Sequence, residues 1–430
     1  MHPPECVFQL HRSRLRRLRL FEKAGAAYAA GVIPLDEART YVLSKCAPLA
    51  PTTVAIDDAR GLVLAEDLAA KGPIPPFDNT AMDGFAIRAE DLKDAPVTLD
   101  MIGTVAAGAA PDMTVGAGQA VRIMTGAPIP PGADAVVMVE LTELADDLQT
   151  VSVRESVQVG NHIRPLGDDV AAGDIMFRAG TELSPAHLGV CTSIGIYEVP
   201  TYRRPRIGVI STGDELVDEP RPLNMGEIHD SNRHTLLALV RAMGADGIDL
   251  GLVVDDEDDI RNAMTSAAES CDAVVTSGGV SMGDFDYVKK VLTEIGDMRW
   301  MQVAIKPAKP LAFGTVGGTP IFGLPGNPVS SMVSFELFAR PGIRAMMGHS
   351  EPIVAPTPGV AGAPLKRHTD GKTHFARVHA TLGADGRYSA SFSGGQGSHQ
   401  LSAMAAANAL AIVPDGDGIA EGDPVDLLLL

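Results

Sequence analysis

Two kinds of hydrophobic periodicity follow each other along the chain, and the change from one to the other falls near residue 204. Beyond it, short apolar runs such as 206–210 and 248–254 alternate with stretches of helical spacing, the last of them over 330–347. Strands that alternate with helices predict a doubly wound α/β domain with right-handed crossovers. We assign this central domain to residues 204–349.

Upstream of the central domain, the apolar runs are short and separated by glycines, which is typical of strands. Four of these runs lie at 84–87, 97–105, 119–124 and 135–139. They predict a β-rich domain over 74–150 that is inserted into a second domain. That second domain is discontinuous, mixed α/β and elongated, and it consists of 35–73, with a helix over 35–47, and of 151–203.

The C-terminal region has the pattern of a small β domain. A proline-rich linker over 352–364 precedes apolar runs at 374–380, 387–392, 409–413 and 425–430. The first two runs flank Gly383-Ala384-Asp385-Gly386, which predicts a hairpin. We therefore expect a small β-barrel domain over 350–430.

The first 34 residues differ from the rest of the chain because they are basic and lack a regular apolar pattern. Five arginines fall within the first twenty residues, and no apolar run of signal-peptide length follows them. We interpret residues 1–34 as a disordered or mis-started N-terminal segment. An arm that binds nucleic acid or anionic lipid is the alternative.

Composition and charge exclude several classes of protein. A net charge of −19 argues against non-specific nucleic-acid binding, which needs a basic face. No apolar run reaches the roughly 18 residues of a membrane span. Cys6, Cys46, Cys191 and Cys271 show no C-x-x-C pairing, so reduced thiols in a cytoplasmic protein are expected. Because the protein is acidic, an anionic substrate requires locally placed cations, backbone amides or a metal ion.

Three successive strands of the central domain feed loops that are rich in glycine, proline, serine, lysine and acidic residues. These loops cover 277–286, 306–310 and 324–328, and two further polar loops follow earlier strands at 211–216 and 255–259. Loops at the carboxyl ends of parallel strands share one edge of the sheet, where turn amides and helix N-termini bind anions. The pattern therefore predicts a site for a phosphorylated ligand with Mg²⁺.

Ordinary capping and turn chemistry is the alternative interpretation of each single loop. The acidic run 255–259 is favoured as a helix start rather than a metal site. Two polar loops of the inserted domain, 77–84 and 123–128, are most simply interpreted as turns. Glu215 and Asp286 are candidates to bind a metal ion or to transfer a proton. Asp286 is predicted to lie one turn into the helix that follows the glycine loop. The chain lacks the P-loop, the dinucleotide-binding fingerprint, the G-x-S-x-G elbow and H-E-x-x-H.

Seven segments in order connect the chain to a known family: FDNTAMDGFAI, IMTGAPIPPGADAVVMVE, STGDEL, TSGGVSMGDFDY, IKPAKP, FGLPGNPVSS and QGSH. Together they resemble the molybdopterin molybdenumtransferases, which insert molybdate into adenylylated molybdopterin in the last step of molybdenum cofactor synthesis. The resemblance runs from about residue 35 to the C-terminus. It implies a central domain of the molybdopterin-binding type, Mg²⁺ as cofactor and molybdate as substrate.

The resemblance also implies roles for individual residues. Those implied in catalysis are Asp83, Thr125, Glu215, Asp286, Lys306 and Lys309, with Glu215 and Asp286 also as metal ligands. Those implied in substrate binding are Asp169, Ser277, Gly278, Gly279, Ser281, Pro325, Gly326, Asn327, Pro328, Ser330, Arg377 and Ser398. Of these, Lys306, Lys309, Ser330, Arg377 and Ser398 are implied in a molybdate pocket. Ala308 departs from the family pattern, in which glycine stands between the two lysines, and this matters only if the position needs a positive φ.

The implied assembly is a homodimer in which the inserted domain of one subunit completes the active site of the other. The implied protein partners are the adenylyltransferase that makes the substrate and the apo-molybdoenzymes that receive the product. Three alternatives stay open: the adenylyltransferase itself, whose SGGTG ending is absent here, a dimeric scaffold protein on the same fold, and an enzyme that uses tungstate.

Overall fold

A seven-stranded mixed sheet forms the centre of the larger of two structural units. The computed structural model describes residues 31–278 and 287–430. One unit contains the described residues up to Ala50 together with Tyr202–Leu430, and the other is Pro51–Thr201. In the described part of the chain, no helix is long and apolar enough to cross a membrane.

The central sheet has all strands parallel except one. Its spatial order is Val32–Ile33, Gly296–Val303, Pro310–Val316, Thr319–Leu324, Ala273–Ser277, Arg206–Thr212 and Asp246–Val253. Only Pro310–Val316 runs antiparallel to its two neighbours. Pro310–Val316 lies between Gly296–Val303 and Thr319–Leu324 and is antiparallel to both. These two strands therefore run in the same direction and end at the same edge of the sheet.

Helices cover both faces of this sheet, which confirms the predicted doubly wound fold. Successive residues of a strand point to opposite faces, so Val275 and Phe322 enter one hydrophobic core while Val274 and Ile321 enter another. The helices of this unit are Leu35–Lys45, Asn232–Ala242, Glu257–Ser270, Tyr287–Ile295, Pro328–Ser334, Arg340–Met346 and Leu401–Ala405. Short strands Leu216–Val217 and Ile228–His229 form a separate two-stranded sheet.

The helices Pro328–Ser334 and Arg340–Met346 are joined by a π-helical turn over Phe335–Ala339, and we call the three segments together the closing helix. Proline has no N–H to donate, so Pro341 cannot form the helical hydrogen bond to the carbonyl of Leu337. Arg39 Nε donates to that carbonyl instead, at 3.2 Å. The helix Leu35–Lys45 is thereby connected to the closing helix, and its Ala38 and Val42 lie in the same core.

The C-terminal region forms the predicted barrel. Strands Thr373–Leu382, Tyr388–Phe392, Thr357–Ala361, Pro424–Leu429 and Ala409–Val413 pair in that order, and pairing of the last with the first closes the barrel. Ile305–Lys306 adds a short parallel strand beside Thr373–Leu382. Leu365–Lys366 and Gly418–Ile419 form a separate pair.

The second unit contains the predicted β-rich segment. Its six-stranded sheet has the order Ala135–Met138, Gly84–Ile87, Gln119–Ile123, Val97–Val105, Thr150–Val153 and Thr142–Leu144. Two-stranded pairs join Asn79–Thr80 to Ile163–Arg164, Leu68–Ala69 to Ile175–Phe177, and Pro51–Ala55 to Glu198–Tyr202. One helix, Pro185–Ser193, begins with a capping box at Ser184.

Part of the N-terminal segment 1–34 is ordered, contrary to the prediction. Val32–Ile33 lies within the stretch predicted to be disordered, yet it forms the edge strand of the central sheet, and Ala304 N donates to Ile33 O at 2.9 Å. Two residues are too few for a periodic pattern to reveal a strand. The helix Leu35–Lys45 packs in the larger unit, and the domain boundaries given above remain predictions.

Candidate functional site

The five polar loops identified in the sequence follow strands that end at one edge of the central sheet. These strands are Arg206–Thr212, Asp246–Val253, Ala273–Ser277, Gly296–Val303 and Thr319–Leu324. The registers Ser211 with Ser277 and Ser277 with Leu324 bring three of the loops side by side. The described strand ends that precede the predicted loops therefore lie at one edge, as a sheet of this topology requires.

Asn232 holds two of these loops together. Its Nδ2 donates to Ser277 Oγ at 2.8 Å and to the carbonyl of Gly326 at 2.7 Å. Gly278 N donates to Leu324 O at 3.1 Å, which is a second connection between the same loops. Nothing in the local sequence pattern around Asn232 indicates this role.

Gly278 is a position that only glycine suits. Its φ is +101°, and a Cβ there would lie 2.8 Å from the carbonyl oxygen of Thr212. The backbone of this loop therefore approaches the end of the neighbouring strand without an intervening side chain. Gly279, Ser281 and Asp286 lie outside the described residues.

Glu215 is an exposed acid on the first of these loops, and its carboxylate folds back over Gly213. Asp256 is a capping residue, since its Oδ1 accepts from the N–H groups of Asp258 and Asp259 at 2.9 and 3.1 Å. The acidic run is thus a helix start, as the sequence favoured. Within residues 31–278 and 287–430, no three His, Cys, Asp or Glu side chains converge as a metal site.

Lys306 and Lys309 are exposed, and Ala308 between them has a left-handed backbone. Ala308 has φ of +72° and is buried. The glycine expected at this position is therefore replaced by a residue that is sterically strained there. Neither lysine forms an ion pair with a described residue, while the Lys309 carbonyl accepts from Val303 N at 2.7 Å.

A cavity of about 380 Å³ opens between the lysine loop and the barrel. Its basic lining residues are Lys306, Lys366, Arg367, His368, His374 and Arg377, and none of the described residues that line it is acidic. Arg367 is already neutralised, since its Nη2 donates to Asp370 and Asp415 at 2.8 and 2.6 Å. Burial lowers the pKa of His374, although its hydrogen bond to Asp370 opposes this. The cavity is therefore a basic pocket in an acidic protein.

Arg377 is the exceptional member of this lining. It is completely buried, and its Nε and Nη1 have no hydrogen-bond partner among the described residues. Its Nη2 donates to the carbonyls of Gly395 and Gly397 at 2.7 and 3.2 Å. Burial lowers the pKa of the guanidinium, because a charged group is costly to remove from water.

Other predicted substrate residues lie near the start of the closing helix. Pro325, Gly326, Asn327 and Pro328 form the turn into the helix Pro328–Ser334, with Asn327 at its N-cap. Ser330 is buried in the first turn, and Val329 N donates to the Ser398 carbonyl at 3.2 Å. Ser330, Ser398 and Lys309 are not among the residues that line the cavity with Lys306 and Arg377.

The remaining predicted residues lie in the second unit. Asp83 Oδ1 accepts from both the hydroxyl and the N–H of Thr125, each at 2.7 Å. These bonds hold the pKa of Asp83 below its ordinary value, the hydroxyl contributing most. Asp169 lies in the same unit, where its N–H donates to the Ile74 carbonyl at 2.9 Å. The structure thus brings Asp83 and Thr125 into direct contact.

Comparisons with known proteins agree with this fold along nearly the whole chain. Family models match residues 33–195 as "MoeA N-terminal region (domain I and II)", 208–345 as "Probable molybdopterin binding domain" and 360–430 as "MoeA C-terminal region (domain IV)". The molybdopterin molybdenumtransferase of Haemophilus influenzae is 37% identical over 399 residues, which are 92% of this chain and 98% of that protein. The chain belongs to the molybdopterin molybdenumtransferase family.

Further relatives of the molybdopterin molybdenumtransferase family support this conclusion. Molybdopterin molybdenumtransferase 2 of Mycobacterium tuberculosis is 40% identical over 375 residues, covering 85% of this chain and 91% of that protein. A solved structure of the molybdopterin biosynthesis MoeA protein from Pyrococcus horikoshii has a TM-score of 0.80 and 30% identity, covering 93% of this chain and 100% of that one. The family and fold predicted from the sequence are confirmed, whereas the individual residue roles remain predictions.

Proposed function

We propose that this chain inserts molybdate into adenylylated molybdopterin and releases AMP, giving molybdenum cofactor. The observation that carries the proposal is the fully buried guanidinium of Arg377 in the lining of a basic cavity, with Nε and Nη1 lacking a hydrogen-bond partner among the described residues. An unpaired buried charge costs several kcal/mol, so the site favours an anion that pairs with it. Membership of the family supplies the reaction in which such an anion takes part.

The charges of the reactants explain the distribution of cations. Molybdate is a dianion, and the pterin substrate carries a dithiolene and a pyrophosphate, so the reaction gathers negative charge in one place. Lys306, Lys309 and Arg377 offset the mutual repulsion of these groups, as cationic clamps do in phosphoryl transfer. Ser330 and Ser398 supply hydroxyl groups near the start of the closing helix.

The adenylylated pterin is assigned to the loops around Ser277 and Gly326. The described part of this region presents Gly278, Asn327 and the start of the helix Pro328–Ser334. Pro328 has no N–H, and the N–H groups of Gly278 and Val329 donate to carbonyls, so the N–H groups of Asn327 and Ser330 are the ones assigned to phosphate oxygens. Gly279 and Ser281 follow directly in the chain and belong to the same proposed subsite. Pro325 and Pro328 stiffen the opposite loop.

Mg²⁺ is assigned to Glu215 and Asp286. Mg²⁺ is commonly held by one or two carboxylates together with substrate phosphates, so one exposed carboxylate at the edge of the sheet fits this donor set. When bound, the ion would neutralise charge on the phosphates of the adenylylated substrate. Glu215 would orient it from the loop that follows Arg206–Thr212.

A homodimer is part of the proposal. Asp83, Thr125 and Asp169 of one subunit would complete the site of the other, with Asp83 as an ionised carboxylate held by Thr125. We place the protein in the cytoplasm, with the adenylyltransferase and apo-molybdoenzymes as partners, and expect no nucleic acid or membrane partner.

The deciding experiment measures AMP release from adenylylated molybdopterin and Mg²⁺, with and without molybdate. Molybdate-dependent release that yields a cofactor able to activate an apo-molybdoenzyme is the expected result. The control is Lys306→Ala combined with Lys309→Ala, which should abolish molybdate-dependent release while the oligomeric state stays unchanged.

Other outcomes would point to the alternatives. Intact adenylate bound without release would indicate a scaffold or binding protein. Formation of adenylylated molybdopterin from ATP would indicate the adenylyltransferase. Release that responds to tungstate in preference to molybdate would indicate a tungsten enzyme.

A further inference from the structure

The side-chain amide of Gln396 forms hydrogen bonds with the backbone of Arg377, just beyond the point where the neighbouring strand Tyr388–Phe392 ends. In the barrel, the residue pairing of Tyr388–Phe392 with Thr373–Leu382 stops one residue short of Arg377, whose carbonyl still accepts from Ser393 N at 3.1 Å. Gln396 Oε1 accepts from Arg377 N at 2.9 Å, and Gln396 Nε2 donates to Arg377 O at 3.1 Å. A single side chain therefore pairs with both backbone groups of Arg377, as a neighbouring strand would.

The loop that contains Gln396 also fixes the guanidinium of Arg377. Gln396 Nε2 donates to Gly394 O at 3.0 Å, which ties the loop to itself. Gly395 and Gly397 on either side accept from Arg377 Nη2 at 2.7 and 3.2 Å. The backbone and the side chain of Arg377 are thus held by the same short loop, while Nε and Nη1 have no partner among the described residues.

We infer that Gln396 is a positioning residue that acts through Arg377 and sets the affinity of the cavity for a tetrahedral oxyanion. This inference rests on the proposed function, since it assigns the unpaired edge of Arg377 to the oxyanion substrate. A free arginine side chain loses rotamer entropy when an anion fixes it. A loop that fixes Arg377 before the anion arrives removes most of this cost from binding.

Gln396→Glu and Gln396→Ala test the inference in different ways. Glutamate keeps an acceptor for Arg377 N but loses both donated hydrogen bonds and places a carboxylate against the carbonyls of Arg377 and Gly394. Alanine removes all three hydrogen bonds without adding charge. Because these bonds hold Arg377 in place, Gln396→Ala should raise the KM for molybdate about tenfold, and Gln396→Glu should raise it further. The turnover number at saturating molybdate should change less than about threefold in both, because the reacting groups themselves are untouched.

The matched control is Gln400→Glu, which adds the same charge on the same loop. Gln400 Oε1 accepts from Gly397 N at 2.7 Å, and the glutamate oxygen can keep that bond. No hydrogen bond joins Gln400 to Arg377 in the described structure. The KM for molybdate of this variant should stay within about twofold of that of the unsubstituted protein. An equal rise in Gln400→Glu and Gln396→Glu would contradict a specific role for Gln396.

A double-substitution cycle decides whether Gln396 acts through Arg377. The affinity for molybdate and for sulfate is measured by calorimetry in the unsubstituted protein, in Gln396→Ala, in Arg377→Gln and in the protein that carries both substitutions. If Gln396 acts through Arg377, Gln396→Ala should weaken binding about tenfold when Arg377 is present and have almost no effect in the Arg377→Gln background. Equal losses in both backgrounds, or none in either, would overturn the inference.

Different results would contradict the proposed function and the inference about Gln396. Oxyanion binding that depends on Gln396 in a protein without AMP release would refute the proposed function and keep the inference. Molybdate-dependent AMP release with an unchanged KM for molybdate in folded Gln396→Ala and Gln396→Glu would support the proposed function and refute the inference. A thermal melt of each variant checks folding, and if Gln396→Ala alone unfolds, Gln396→Glu and its control decide.

Discussion

Asn232 Nδ2 lies 2.8 Å from the hydroxyl oxygen of Ser277. The other N–H of the same amide donates to the Gly326 carbonyl, so one side chain spans the loops that follow two neighbouring strands. Beyond the paired strands, the two loops are connected by this amide and by the hydrogen bond from Gly278 N to Leu324 O. Asn232 therefore helps to fix the positions of the two loops that form the proposed subsite for the adenylylated pterin.

Asn232→Ala should raise the KM for adenylylated molybdopterin about tenfold, because both loops lose a hydrogen bond worth about 1 kcal/mol. Asn232→Asp should be worse, since a carboxylate oxygen would face the Gly326 carbonyl. Steady-state kinetics of AMP release measures both. The comparison variant is Ser277→Ala, which removes one of the two bonds and should have a smaller effect than Asn232→Ala. A larger effect of Ser277→Ala would show that Ser277 acts on the substrate directly.

Thr125→Val should raise the pKa of Asp83, because the hydroxyl of Thr125 is the main cause of its lowered value. The lowered pKa means that the Asp83 contacts stabilise the loops above the ordinary Asp pKa, and that this stabilisation is lost as the pH falls through the lowered value. If ionised Asp83 is needed for turnover, the acidic limb of kcat/KM should move to higher pH in Thr125→Val. The pH profile and an NMR titration of the Asp83 carboxyl measure the two effects.

Thr125→Ser is the control for this experiment, since serine keeps both the hydroxyl and the N–H that bind Asp83. It should leave the acidic limb of kcat/KM and the titration of Asp83 close to those of the unsubstituted protein. A shift in Thr125→Ser as large as that in Thr125→Val would mean that the methyl group, and not the hydrogen bond, controls the pKa of Asp83.

Much of the fold could be predicted because local pattern and tertiary structure agree. The runs at 84–87, 97–105 and 409–413 are strands with the bounds expected from their alternation. The acidic start of Glu257–Ser270 also follows a local rule, since the oxygen of Asp256 satisfies helix N–H groups.

The remaining features depend on contacts between residues far apart in the chain. The reversed strand Pro310–Val316 has no pattern that distinguishes its direction, because direction depends on its neighbours. Asn232 and Gln396 have ordinary local surroundings, and their roles arise from partners 45 and 19 residues away. The family motifs brought Lys306 and Arg377 together as candidate residues, but only the folded barrel shows that they share a cavity.

Ala308→Gly should change the free energy of unfolding by less than about 1 kcal/mol. A left-handed backbone costs a residue with a Cβ about 1–2 kcal/mol, which glycine relieves. Glycine loses about 0.8 kcal/mol of methyl burial and about 0.5–1 kcal/mol of chain entropy in return. The two sets of terms nearly cancel, which explains how alanine is tolerated here. Urea unfolding followed by circular dichroism measures the difference.

Ala312→Gly is the matched control for Ala308, because it removes the same methyl group from a buried position inside the strand Pro310–Val316. No strain is relieved there, so this substitution should destabilise the protein by about 1–2 kcal/mol. If Ala308→Gly were as destabilising as Ala312→Gly, the positive φ of Ala308 would impose no strain.

Arg233→Met should destabilise the helix Asn232–Ala242 and the loops it supports. Arg233 is buried, and it is ion-paired with Asp218, Asp230 and Asp249. Ser211 Oγ donates to Asp230 at 3.1 Å, which connects this network to the end of a central strand. Methionine fills a similar volume but leaves the buried carboxylate of Asp230 without its cation. Removing one partner of a buried ion pair costs about 3–5 kcal/mol.

Arg241→Met provides the comparison, since Arg241 lies on the same helix and its Nη2 donates, at 3.2 Å, to the carbonyl of Gly247. This exposed contact should contribute less than about 1 kcal/mol. Hydrogen exchange of the helix amides should therefore accelerate strongly in Arg233→Met and little in Arg241→Met. Because Arg233 directly follows Asn232 in the chain, loss of the ion pairs should also raise the KM for adenylylated molybdopterin. Accelerated exchange with an unchanged KM would show that the position of Asn232 does not depend on the buried arginine.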